Sequence, residues 1–141
     1  MNKLTFYVTV GFLTISFSKM SHAQDIGISS IILPVAGSDL SNDVKITFKV
    51  VVKNYGSTVV AAQTSVTYYA ILGTMDTVSF AGKIKFDLSP GDSSRQSFEG
   101  TLTNQELGPI NFCMWVNLST DINHGNDTTC ITCNIVESTM E

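Results

Sequence analysis

The sequence predicts an all-β domain: an immunoglobulin-like antiparallel β-sandwich of about seven or eight strands with Greek-key connections. Three observations predict it. Apolar residues recur with period two through most of the chain after residue 25. Clusters of Asn, Asp, Gly, Pro and Ser punctuate those runs at short intervals. No stretch sustains the three-and-four spacing of an amphipathic helix. A small closed barrel is the second architecture that fits.

The N-terminal segment reads apart from the fold. Lys3 supplies a positive start, and Phe6–Phe17 is an apolar run. That run is shorter than the roughly 20 residues a membrane-spanning helix needs. Ser21-His22-Ala23 places small residues where a signal peptidase reads. Residues 1–23 are therefore expected to be a secretory signal peptide cut after Ala23. Removal of 23 residues leaves 118 of the 141 as one domain, residues 24–141. With no second long apolar run, the processed chain is expected not to span a membrane. Its expected location is secreted or at the cell surface.

Composition narrows the function. Of the residues, 43% are apolar and 14% charged, too apolar for a disordered chain. The net charge is −4, and becomes −6 once Lys3 and Lys19 leave with the leader. That balance argues against a nucleic-acid partner. The length argues against a two-domain cofactor enzyme.

The elements follow in order. Ile26–Leu33 is a strand, broken by Pro34-Val35-Ala36-Gly37-Ser38. Val44, Ile46, Phe48, Val50 and Val52 then form one apolar face. The opposite face carries Lys45, Lys49 and Lys53, a row read as solvation and edge protection. Asn54-Tyr55-Gly56 turns the chain. Gln63–Leu72 and Met75–Phe80 are weaker strands. Ile84, Phe86 and Leu88 alternate with Lys83, Lys85 and Asp87, which predicts a further strand. Ser89-Pro90-Gly91-Asp92 is a turn before Arg95–Leu102, and Thr103–Leu107 has room for one helical turn at most. Ile110, Phe112, Met114 and Val116 line one face of the next strand. His124-Gly125-Asn126-Asp127 turns into the last, Thr128–Val136.

Several of these segments together resemble a known family. They are Val50-Val51-Val52-Lys53-Asn54-Tyr55-Gly56, Leu88-Ser89-Pro90-Gly91-Asp92-Ser93, and Trp115-Val116-Asn117 followed by Asn126-Asp127-Thr128. Their order resembles CARDB-like modules, the immunoglobulin-like sandwiches of secreted bacterial proteins, especially in the Bacteroidota. The resemblance covers roughly residues 25–136. It implies the sandwich fold and an accessory, adhesion-type role. Its motifs are turn and core signatures, so they specify fold more than activity. The three cysteines are not part of that pattern.

Cys113, Cys130 and Cys133 lie in the last third, and export implies an oxidising compartment. If Phe112 and Met114 point inward, Cys113 points outward. If Ile131 and Ile135 point inward, so does Cys133, and Cys130 points outward. Cys113–Cys130 is therefore the first choice of disulfide and Cys113–Cys133 the second. The spacing Cys130-Ile131-Thr132-Cys133 invites a metal or redox reading. On a strand those two side chains face opposite sides, which argues against it.

Asp121-Ile122-Asn123-His124-Gly125-Asn126-Asp127 has the oxygen-rich composition of a calcium loop, but not the EF-hand spacing. The preferred reading is a polar hairpin loop using Asn and Asp for turn geometry. No metal and no cofactor are expected. His124 is the one histidine after the leader, and no Gly-x-Ser-x-Gly turn accompanies it, so no enzyme is expected. Tyr55 sits in a turn, and Tyr68 has core parity. Tyr69 and Trp115 have outward parity and are the candidate partner contacts. Trp115 could equally cover a Cys113–Cys130 bridge on the outer face. The expected function is non-catalytic binding or surface attachment, with a protein or polysaccharide of the cell envelope as partner. The alternative is a structural spacer, or a fragment of a larger envelope or secreted protein.

Overall fold

The computed structural model describes residues 23–42, 44–72, 76–103 and 105–137. The expected signal peptide lies outside the described residues up to its last position, Ala23. Eight strands are present: β1 (Ile26–Leu33), β2 (Asp39–Ser41), β3 (Lys45–Asn54), β4 (Ser65–Leu72), β5 (Asp76–Lys83), β6 (Ser93–Thr101), β7 (Gly108–Asn117) and β8 (Thr128–Val136). They form two sheets. One has the order β1-β3-β6, the other β2-β8-β7-β4-β5. The links β3 to β4, β5 to β6 and β6 to β7 each pass from one sheet to the other, as Greek-key connections do.

Period-two patterning places the core between the sheets. Ile46, Phe48, Val50 and Val52 of β3 face Val66, Tyr68 and Ala70 of β4 and Ile110, Phe112, Met114 and Val116 of β7. Aromatic rings bridge the layers. Phe48 stacks on Phe112 with centroids 5.0 Å apart, and Tyr68 tilts against Phe98 at 4.5 Å. Tyr68 also lies over Gly82, where a Cβ would come within 2.6 Å of its ring. Burial pushes the Tyr68 hydroxyl well above its ordinary pKa, and that hydroxyl has no hydrogen-bond partner.

Two turn motifs close on each other. In Ser89–Asp92 the Asp92 N–H donates to Ser89 O at 2.9 Å, and Gly91 takes φ +88°. Proline followed by a left-handed glycine is the type II turn arrangement. Gly91 N–H donates to Asn54 O, and Asn54 N–H donates to Asp92 O. The fully buried Asn54 amide donates to Thr58 O at 2.7 Å and Leu88 O at 2.8 Å, and accepts from Gly56 N–H at 2.9 Å. The Asn-Tyr-Gly and Ser-Pro-Gly-Asp segments thus form one lock.

Four expectations need correction. Lys83–Leu88 is not a strand beyond Lys83, where β5 ends. Ile84 and Leu88 are buried but Phe86 is 72% exposed, because the chain bends at Lys85-Phe86. Ile84 exchanges backbone bonds with Gln63 and Thr64, and Leu88 with Val60, so two anchor points replace a ladder. Val44 lies before β3 and is 45% exposed, outside the apolar face assigned to it. The lysine row does not guard an edge, since β3 is the centre of its sheet; Lys45 pairs with Glu99 across the β3–β6 ladder, and Lys53 lies over the Tyr55 ring. Finally, the sandwich is not wholly antiparallel. The short β2 runs parallel to β8, after Pro34–Ser38 has carried the chain from the three-stranded to the five-stranded sheet.

Candidate functional site

The outer face of the five-stranded sheet carries the outward residues of β4, β7 and β8. Register puts Tyr69 opposite Trp115 and Ile71 opposite Cys113. On the other side of β7, Cys113 is opposite Cys130 and Trp115 opposite Thr128. Two rows result, one of Ile71, Cys113 and Cys130, the other of Tyr69, Trp115 and Thr128. Each row crosses three strands.

Cys113 and Cys130 form a disulfide between directly opposed positions, with Cα atoms 4.0 Å apart. Cys133 points into the core as a free, fully buried thiol, with its Sγ 3.5 Å from Val35 O. The two residues of the Cys-x-x-Cys pattern therefore face opposite sides of β8. Tyr69 and Trp115 stack with centroids 4.9 Å apart and planes 12° apart. Such a pair contributes about 0.5–1.5 kcal/mol beyond area burial. Each ring half-buries the other, while Ile71 beside them is 37% exposed. Trp115 stacks on Tyr69 and also lines a cleft with Cys113, so it is both an aromatic plate and a neighbour of the bridge.

That cleft is open and has a volume of about 520 Å³. Ile71, Cys113 and Trp115 form its apolar part, and Asn117, Thr128, His124 and Asp127 its polar part. The polar part lies at the adjoining ends of β7 and β8 and in the connection between them, which folds back against the start of the domain. Asp121 Oδ2 accepts from Ile26 N–H at 2.7 Å, and Asp121 Oδ1 from Asn123 N–H at 2.8 Å. Asn126 Nδ2 donates to Asp25 at 2.7 Å, and Asn123 Nδ2 donates to Asp25 at 3.1 Å. Gly27 permits this approach, since a Cβ there would run into the Asn126 carbonyl.

His124 Nδ1 meets Asp127 Oδ2 at 2.7 Å. This bond, with the charge of Asp127, raises the pKa of His124. Burial raises the pKa of the Asp127 carboxyl, against the opposing bond from His124, and the nearby Asp121 and Asp25 charges raise it further. The sequence predicts a polar hairpin loop here, with Asn and Asp serving turn geometry. The structure differs in that Asp121 and Asp127 are buried, 8% and 5% exposed. Their burial depends on residues about a hundred positions away, which local composition does not encode.

Similarity to known proteins bears on the fold. No family model matches the chain, and no curated protein matches it. Among solved structures, a crystal structure of a CARDB domain from Pyrococcus furiosus, in complex with di-metal ions, superposes with a TM-score of 0.57 at 15% identity. The match covers 83% of this chain and 97% of that one. This chain has a CARDB-like fold. A solution structure of a CARDB domain from the same organism agrees, with a TM-score of 0.54, 17% identity, and coverage of 82% and 97%. The CARDB-like resemblance read from the turn motifs is thus met at the level of architecture. The Asn54–Gly91 lock gives two of those motifs a physical meaning.

Proposed function

We propose that the protein is a non-catalytic recognition module of the cell exterior, docking an envelope polysaccharide on the outer face of its five-stranded sheet. One observation carries this reading. Trp115, backed by its stack on Tyr69, lines an open cleft together with polar side chains on a disulfide-tied sheet. Aromatic surface combined with hydroxyl, amide and carboxylate groups matches the apolar faces and hydroxyls of a sugar chain. A protein partner is the competing class. The signal peptide expected over residues 1–23 supports an exterior location, and the CARDB-like fold is consistent with an accessory module. The spacer reading differs in needing no such cleft.

The test is capture by the immobilised chain from separated envelope polysaccharide and envelope protein fractions. Saturable capture from the polysaccharide fraction, reduced at least tenfold by Trp115→Ala with the melting curve retained, supports the proposal. Capture from the protein fraction alone assigns the face to the competing class. Capture from neither moves the reading to a spacer.

A further inference from the structure

The β7–β8 connection holds a second arrangement that a recognition face does not require. One ligand atom each from Asp121, His124 and Asp127 lies within 4.8 Å of the others. These residues come from a loop whose position is fixed at several points. Asp121 is bonded to the backbone of Ile26, Asn123 and Asn126 to Asp25, and the Asp127 carbonyl accepts from Val116 N–H at 3.2 Å. The cluster is therefore held in place by the strands around it.

A separate observation points to a ligand. Asp127 is 95% buried, and its Oδ1 is shielded from solvent with no hydrogen-bond partner. Its neighbour Asn126 has a shielded Oδ1 in the same condition. A flipped Asn126 amide would not relieve this, because its oxygen would then face the Asp25 carboxylate that Nδ2 now contacts. Buried acceptors without donors are costly and uncommon. Here they stand beside two further carboxylates, Asp25 bonded to the Asn126 amide and Asp121 within 4.8 Å of Asp127, so a cation would meet a concentration of negative charge.

We propose that Asp121, His124 and Asp127 bind one divalent transition-metal cation of the zinc class. One imidazole nitrogen and two carboxylates form a mixed nitrogen–oxygen set that suits zinc better than calcium, which takes six to eight oxygens. Three protein ligands leave a further coordination position open. Both Asp121 oxygens already accept backbone bonds, but each retains a second lone pair. The cation takes the place of the proton between His124 Nδ1 and Asp127 Oδ2, and that proton leaves to solvent. The cation site shares His124 and Asp127 with the polar end of the Trp115 cleft, so it is tested with the metal alone, in the absence of any sugar.

Calorimetric titration of the chelator-treated full chain with zinc chloride tests it, alongside thermal melts with zinc and with calcium. The expected result is one zinc per chain at micromolar or tighter affinity, with a higher melting temperature. His124→Ala and Asp127→Asn should each weaken binding at least tenfold, and Cys133→Ser should leave it unchanged. The His124 ring is exposed, so its removal costs no core packing, and the melting curve of metal-free His124→Ala, read beside its zinc titration, keeps the test decisive even if Asp127→Asn fails to fold. Zinc binding that persists in His124→Ala, absence of binding up to millimolar zinc, or stabilisation by calcium alone would each overturn the proposal.

Discussion

Single residues hold this fold at places where polar groups are buried. Asn54 is the clearest, since its side chain makes three hydrogen bonds inside the Gly56 and Gly91 turns. Replacing it with alanine leaves Thr58 O, Leu88 O and Gly56 N–H without those partners. Asn54→Ala is expected to destabilise the chain by about 3 kcal/mol, read as a lower urea midpoint with an unchanged slope. Gly27 is the second such position. A methyl group there meets the Asn126 backbone, which cannot rotate away as a side chain could. Gly27→Ala should cost about 1–3 kcal/mol in the same assay. Its damage should fall on the β7–β8 connection, and so lower zinc affinity as well. The Asn54 motif was legible in the sequence as a turn, because Asn, Gly and Pro carry local backbone preferences. The burial of Asp121 was not legible, because its partner Ile26 is 95 residues away.

At the scale of elements, the β7–β8 hairpin organises the outer face. Period two is strong in β7 and adequate in β8, so the parity of Cys113, Cys130 and Cys133 is legible in the sequence alone. The bridge closes a loop of 17 residues, worth about 3 kcal/mol in the chain-entropy treatment. The double variant Cys113→Ala with Cys130→Ala should lose about 2–4 kcal/mol yet retain the sandwich. Under non-reducing denaturing conditions one thiol per chain, Cys133, should react with a thiol reagent, and none should react rapidly while the chain is folded. Three reactive thiols would contradict the pairing. Elements were misread where alternation did not mean a ladder. At Lys83–Leu88 the same pattern arises from two buried anchors around a bend. The three residues of β2 are too few to show a period, and their parallel pairing with β8 depends on a change of sheet.

For the whole molecule, two sheets share one core between them, and aromatic rings from both sides interlock across it. Neither sheet buries its apolar face alone, so the sandwich should unfold in a single transition. Far-ultraviolet circular dichroism, which reports both sheets, and Trp115 fluorescence, which reports the five-stranded sheet, should give coincident melting curves. Separate midpoints would mean that the sheets are independent. Fold class was accessible from sequence because a sandwich of short strands repeats its period and its turns many times over. The cleft was only half accessible. Parity placed Tyr69 and Trp115 outward, but their stacking depends on the β4–β7 register, which no local pattern specifies.

Trp115 is the one tryptophan in the chain, so its fluorescence reads the proposed docking face without labels. The most direct measurement is its emission and acrylamide quenching during titration with the polysaccharide fraction, compared with a solvent-only control. Occupation of the cleft should shift the emission to shorter wavelength and reduce quenching saturably, with half-saturation at the concentration found by capture. Saturable capture with unchanged Trp115 emission and quenching would place the binding surface elsewhere and contradict the assignment of this face.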